Sequence, residues 1–313
     1  MNLLIGSLTI GLILSLLALG VFVSYRVFGV LDVTTDGSFG VGAATTATLL
    51  AHGWGPGPAT ALGGWAGMMA GLVTGMVHTR FGINVLLAGI LTTTALYSGN
   101  LYIMGGGDLS IAASPTLITT AERLFGAVVP NADAITLGGT PVSARNLAAL
   151  ALMALIVPMV AWLLVLFFRT NLGLAIRATG DNPQMARALG VSVNGMMVVG
   201  LVMANGLIGL SGALFAEYQG FANIQMGLGM IVTGLASVIV GETLLGRGSL
   251  ARKVWAVVGG TLIFRLIIAA VLRAGLDPNA LKLITAVFVF LALVLPDALR
   301  RRFRRPGAAG ARG

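Results

Sequence analysis

The sequence predicts an all-α polytopic membrane protein, and three observations carry that prediction. Of its 313 residues, 57% are hydrophobic and 9% charged, a balance foreign to ordinary soluble domains. Nine apolar runs recur, at about 3–24, 36–51, 58–77, 83–103, 146–168, 195–216, 226–245, 254–272 and 281–297, most of them near the roughly 20 residues that span a hydrocarbon core as a helix. Lysines and arginines gather between alternate runs, as topology signals do. The expectation is one transmembrane domain over residues 1–313 with about 8–9 transmembrane helices. Its second helix is broken, and a helical loop at 169–193 lies on the cytoplasmic side.

The first run is too long for a signal-peptide core, has no basic residue before it and is followed by further spans, so it reads as a retained helix. The second is short and follows GVLDVTTDGSFG, whose acids, threonines and glycines do not suit a lipid-facing helix. That segment reads as a broken or re-entrant element buried in the protein. In the third, Gly67, Gly71 and Gly75 form small-residue pairs that let helices approach closely. The polar stretch 104–145 contains SPTLITTAERLF, a short surface helix.

The loop 169–193, RTNLGLAIRATGDNPQMARALGVSV, carries its own helix signals. Asp181 or Asn182 serves as N-cap, Pro183 suits the first helical position, and Gly190 the residue past the end. Met185, Ala188 and Leu189 fall at i, i+3 and i+4, giving the helix one apolar face for a partner or for lipid headgroups.

With this loop inside, fourteen of the nineteen basic residues are cytoplasmic. The N-terminus is then outside and the C-terminus inside, provided that 36–51 crosses. The basic tail 298–313, with its RRRFRR run, becomes an anchor facing anionic lipid, and no nucleic-acid partner is expected. The chain has no Cys, and its two histidines, His52 and His78, stand far apart, so no metal site is expected. No G-x-x-x-x-G-K-[ST] loop occurs; GRGSLARK lacks the spacing and follows no strand. Neither a His–Glu pair nor G-x-S-x-G is present for intramembrane catalysis. No catalytic residue or cofactor is therefore expected in this chain.

Polar groups that a bilayer makes costly are the candidates for a solute path. Asp32, Thr34, Thr35, Asp36 and Ser38 lie on the broken element, where unwound backbone could offer hydrogen bonds to a polar solute. Asp32 and Asp36 read equally well as helix N-caps near the cytoplasmic face. Arg265 stands eleven residues into its run, about 16 Å deep at 1.5 Å per residue. It is either a pin hydrogen-bonded to Asn205, at comparable depth, or a cavity residue for a substrate carboxylate. Asn84, Asn100 and Tyr97 line the cavity or bridge helices, Glu242 pairs with a base such as Arg247, and Asp277 with Lys282 forms an outer-loop pair.

Three segments resemble the permease subunits of ATP-binding cassette importers of the branched-chain amino acid and ribose type. GLILSLLALGVFVSYRVFGVLDVTTDGSFGVGAATTATLL is similar to the family's opening helix and broken second helix, with a D-x-T-x-D-G-S-F turn like that of its amino-acid branch. RATGDNPQMARALGVSVNGMMVVGLVMANGLIGLSGALFA resembles its cytoplasmic loop and following helix. VIVGETLLGRGSL and FRLIIAAVLRAGLDPNALKLITAVFVFLALVLP resemble uncharacterised members linked to tryptophan or tyrosine uptake. The 104–145 segment departs from the pattern.

The resemblance implies a homodimer in a bacterial inner membrane, with two ATPase subunits docked below and a periplasmic or lipid-anchored binding protein above. Asp181, Asn182, Pro183, Gln184, Met185, Ala186, Arg187, Leu189 and Gly190 would form the ATPase-coupling element. The cargo would be a small polar solute, first an amino acid and within that class an aromatic one. The alternative is an ion-coupled secondary transporter, for which no internal repeat is legible and the capped loop helix would have no purpose.

Overall fold

Helix follows apolar length almost throughout this chain. In the computed structural model, which describes residues 2–128, 135–137, 140–245, 248–274, 283 and 287, α1 (Asn2–Val21) continues into a π-helical turn, Phe22–Val27. Then come α2 (Thr34–Ala51), α3 (Pro56–Phe81), α4 (Val85–Ile103), β1 (Leu109–Ser110) and α5 (Leu117–Val128). A small hairpin, β2 (Ile135–Leu137) with β3 (Thr140–Val142), precedes α6 (Ala144–Phe167), α7 (Asn171–Asp181), α8 (Pro183–Ala188) and α9 (Val193–Gln219). The described part ends with β4 (Phe221–Ala222), a 3-10 turn Ile224–Gly227, α10 (Met230–Leu244) and α11 (Leu250–Arg273).

Seven segments among the described residues are long and apolar enough to cross a membrane: those containing α1, α3, α4, α6, α9, α10 and α11. The protein is thus all-α and multi-pass. Eight of the nine apolar runs coincide with helices to within a few residues. The ninth run, the basic tail and the Asp277–Lys282 pair lie outside the described residues. SPTLITTAERLF contains most of α5, and α7 is a helix that the loop's cap signals did not reveal.

Hydrophobic around its circumference, α1 forms the centre. Ile13, Leu14, Leu16, Leu17, Leu19 and Phe22 have no exposed surface, and α6, α9, α10 and α11 pack around the helix. A helix apolar on every side belongs inside. Beside it, α2, α3 and α9 approach so closely that glycine is required. A Cβ at Gly42 would overlap the carbonyl of Gly209, one at Gly67 the carbonyl of Asn205, and one at Gly71 the carbonyl of Leu201. The glycine pairs expected to admit a neighbour do so along α3, and α9 is that neighbour.

The break predicted near the second helix lies in residues 28–33, ahead of α2, and α2 itself is continuous. Thr34, its first residue, bonds to Thr74 of α3, seven residues from that helix's end and so about 10 Å inward at 1.5 Å per residue. α10 also starts inside: its first turn lies beside Asp36 of α2, while β4 just before it pairs antiparallel with β1 at the far end. Two helices therefore begin within the protein. α2 runs from there toward the β1–β4 end, and α10 toward the end carrying α7 and α8.

Substituting Gly42→Val should lower thermal stability of the purified chain by about 1–3 kcal/mol through overpacking. Gly99→Ala, where nothing lies within 4 Å of an added Cβ, should leave the melting temperature nearly unchanged in the same scan.

Candidate functional site

A helix that starts partway through a membrane span has backbone N–H groups for which lipid offers no acceptor. The DVTTD segment supplies acceptors for both interior starts. Asp32 Oδ1 accepts from Thr34 N at 2.9 Å, and Thr35 Oγ1 donates to the Asp32 carbonyl at 2.8 Å, closing the first turn of α2. Asp36, one turn on, serves a different helix: Oδ2 accepts from Gly229 N and Oδ1 from Ile231 N, each at 2.9 Å. Gly229 adopts φ 84° to enter α10, a conformation that glycine takes without a Cβ penalty. Both acids cap helices, as one of the two alternatives had it, but Asp32 is buried, and the half-buried Asp36 caps α10 rather than its own helix.

The remaining valences of Asp32 knit a wider network. Asn205 Nδ2 donates to Asp32 Oδ2 at 2.7 Å and to the Leu201 carbonyl at 2.9 Å, while Ser38 Oγ donates to Asn205 Oδ1 at 2.6 Å. Thr92 Oγ1 donates to the Ala88 carbonyl and Thr74 Oγ1 to Thr92, which leaves Thr34 as the donor to Thr74 at 2.8 Å. This hydroxyl chain joins α2, α3 and α4, and Asn205 adds α9. Asp32, Thr34, Ser38, Thr74 and Asn205 are all buried. A network so completely used fixes helices and has little left to offer a solute.

The other path candidates stand apart from it. Arg265 lies on the side of α11 that meets α1, where its side chain packs beside Gly11. Of its two alternatives, the bond to Asn205 is not formed, because Asn205 spends both amide hydrogens and its oxygen on α2 and its own helix. Arg265 Nε is buried with no partner among the described residues. Asn84 is exposed and caps α4 by accepting from Leu86 N at 2.9 Å. Asn100 is buried against Gly40 of α2, and its Oδ1 finds no donor among the described residues. Asn84, Thr94 and Ser98 share an exposed stripe on α4, with Tyr97 beside it. Glu242 pairs with Arg26 at 2.8 Å, and Arg247 lies outside the described residues.

Glu217, near the far end of α9, escaped the sequence reading. It is fully buried, accepts from Leu117 N at 2.6 Å at the start of α5, and also takes the hydroxyl of Thr60. The one available signal was an α5 helix with no acid in its first turn. Thr74 and Thr92 had none, since a mid-helix threonine satisfies itself on the preceding turn.

At the opposite end, the loop geometry follows the cap signals. Thr170 caps α7, Asn182 Oδ1 accepts from Met185 N at 3.0 Å to cap α8, Pro183 is its first residue, and Ser192 caps α9. Gly190 has φ 81°. Ala186 is the buried residue of α8, whereas Met185 and Leu189 are 50% and 73% exposed. The apolar face thus points away from the protein. Asp181, Gln184 and Arg187 are exposed beside it.

Replacing Asn205 with Leu strands the Asp32 carboxylate and the Ser38 hydroxyl, and should cost about 2–4 kcal/mol in a denaturation series. Thr94→Val on the exposed stripe should stay within about 0.5 kcal/mol.

Comparison with known proteins identifies the family of the chain. Residues 3–294 match the family described as the permease component of branched-chain amino acid transport systems. The chain is 35% identical over 289 residues to the tyrosine transport system permease protein of Clostridioides difficile (strain R20291), across 92% of this chain and 90% of that one. It is 31% identical to the uncharacterized protein RP368 of Rickettsia prowazekii (strain Madrid E), across 94% and 97%. It is 27% identical to the autoinducer 2 import system permease protein LsrC of Yersinia pestis (strain Pestoides F), across 75% and 61%. No solved structure matches. With nearly its whole length matched, the chain belongs to the family of permease components of ATP-binding cassette importers that its sequence resembles.

Proposed function

We propose that this permease forms the membrane path of an importer for a small polar solute, an amino acid and within that class an aromatic one. Two copies assemble in a bacterial inner membrane. Cytoplasmic ATPase subunits drive them, and a binding protein outside delivers the solute. The observation that carries the reading is α8: six residues, capped at the start, with Met185 and Leu189 turned outward and Ala186 anchored inward. A membrane protein gains nothing by fixing an apolar face outward unless something covers it. An ATPase subunit docked there receives a firm contact through which its closure can tilt α7 and α9.

The positive-inside distribution supports an orientation with the α7–α8 end in the cytoplasm and the β1–β4 end outside. The solute path runs beside the exposed stripe of α4, where Asn84, Thr94 and Ser98 are polar positions on a spanning helix, with Asn100 Oδ1 available behind it. Asn84 caps the helix end and Thr94 spends its hydroxyl on the Ile90 carbonyl, so Ser98 and Asn100 Oδ1 are the groups at depth that call for water, solute or a second copy. The amino-acid assignment rests on the tyrosine permease relative, which is nearer and more fully covered than the autoinducer 2 relative. This chain needs no cofactor of its own in the scheme.

In vesicles holding this chain, its ATPase and its binding protein, tyrosine or another aromatic amino acid should stimulate ATP hydrolysis and accumulate. Uptake driven by an ion gradient without the ATPase would instead show a secondary transporter. Leu189→Asp should cut solute-stimulated hydrolysis about tenfold or more, as removal of an interface anchor does, with the melting temperature of the isolated permease unchanged. Ala186→Glu should lower both, because that side chain is buried.

A further inference from the structure

At the α7–α8 end, the π turn that completes the first span, α7 and the start of α11 enclose a cavity of about 290 Å³. Its accessible lining is mostly polar: Phe22 and Val27, from the membrane-spanning segment, back it but are themselves buried, while Arg26, Arg177 and Lys253 face it with a single acid, Asp181. Arg26 is already engaged by Glu242. Arg177 and Lys253 are half-buried and make no ion pair among the described residues. Arg80 and Arg169, at the same end, are exposed. The 24-residue helix α11 also opens on this cavity, and the Ser249 side chain gives its first amides no hydrogen bond. Two withdrawn cations and the positive end of a helix dipole therefore converge on one polar recess.

We propose that this cavity binds a phosphate-bearing anion, the headgroup of an anionic phospholipid. Arg177 and Lys253 meet the phosphate oxygens by charge-assisted hydrogen bonds. The recess lies where two spanning segments, Asn2–Val27 and Leu250–Arg273, reach the membrane surface, the level of phospholipid headgroups, which favours a lipid over a free ion. The lipid then bridges α7, which carries α8, to the first span and to α11. No part of the transport reading is needed for this inference.

The test is native mass spectrometry of the full-length chain purified in mild detergent and exchanged through micelles containing phosphatidylcholine and phosphatidylglycerol. The wild type should retain one phosphatidylglycerol. R177Q/K253Q should retain at least about tenfold less, since two headgroup cations are lost. The charge-keeping R177K/K253R should hold the lipid, which separates loss of the site from misfolding. R80Q/R169Q, with the same change in net charge, should behave as wild type. Equal retention by R177Q/K253Q, or an equal loss in R80Q/R169Q, would overturn the proposal. So would inorganic phosphate that raises the melting temperature as far as the lipid does and displaces it.

Discussion

Helix starts inside a membrane protein set the central constraint on this fold. Lipid offers the free N–H groups at such a start no hydrogen bond, and leaving them bare there costs roughly several kcal/mol each. One short segment supplies the acceptors for two starts, Asp32 for α2 and Asp36 for α10. Because the acids are one turn apart, the helix that Asp32 begins is the helix that presents Asp36. The origin of α10 is therefore fixed by the placement of α2, although 193 residues separate Asp36 from Gly229. The glycine contacts among α2, α3 and α9 and the threonine chain toward α4 then hold that placement from the other sides.

This division of labour decides which polar residues remain for chemistry. Buried groups that satisfy one another act as structure, and those left with a free valence or an exposed face are open to a solute or a partner. Asp32, Thr34, Ser38 and Asn205 fall in the first class; Asn100, the α4 stripe and the outer face of α8 fall in the second. Depth in the membrane alone does not separate the two classes, and the hydrogen-bond partners do.

Much of the fold was legible in the sequence because its causes are local. Apolar run length set the spans, and Asn182, Pro183 and Gly190 announced α8 by cap chemistry alone. The site was harder to read. Asp36 looks in sequence like a cap for its own helix, and only tertiary packing brings Gly229 to it. Asn205 and Arg265 have similar depths, but they face different neighbours, α2 and α1, so depth could not pair them correctly. Glu217 was invisible for the same reason: its partners, Thr60 and Leu117, are 157 and 100 residues away.

The cross-link at Asn205 has a mechanical consequence. α9 has 27 residues, Val193–Gln219, which makes it about 40 Å long at 1.5 Å per residue. Asn205 sits almost at its midpoint. One end of the rod adjoins α8 and the other holds α5 through Glu217. Glycine contacts extend the grip on both sides of Asn205, clamping the helix to α3 and α2 from Val198 to Gly212, and Ser211 bonds to the Ile13 carbonyl of α1. A rod clamped over so much of its length cannot bend alone, so a push at the α8 end would be carried to the Glu217 end by α9 and α3 moving as one beam.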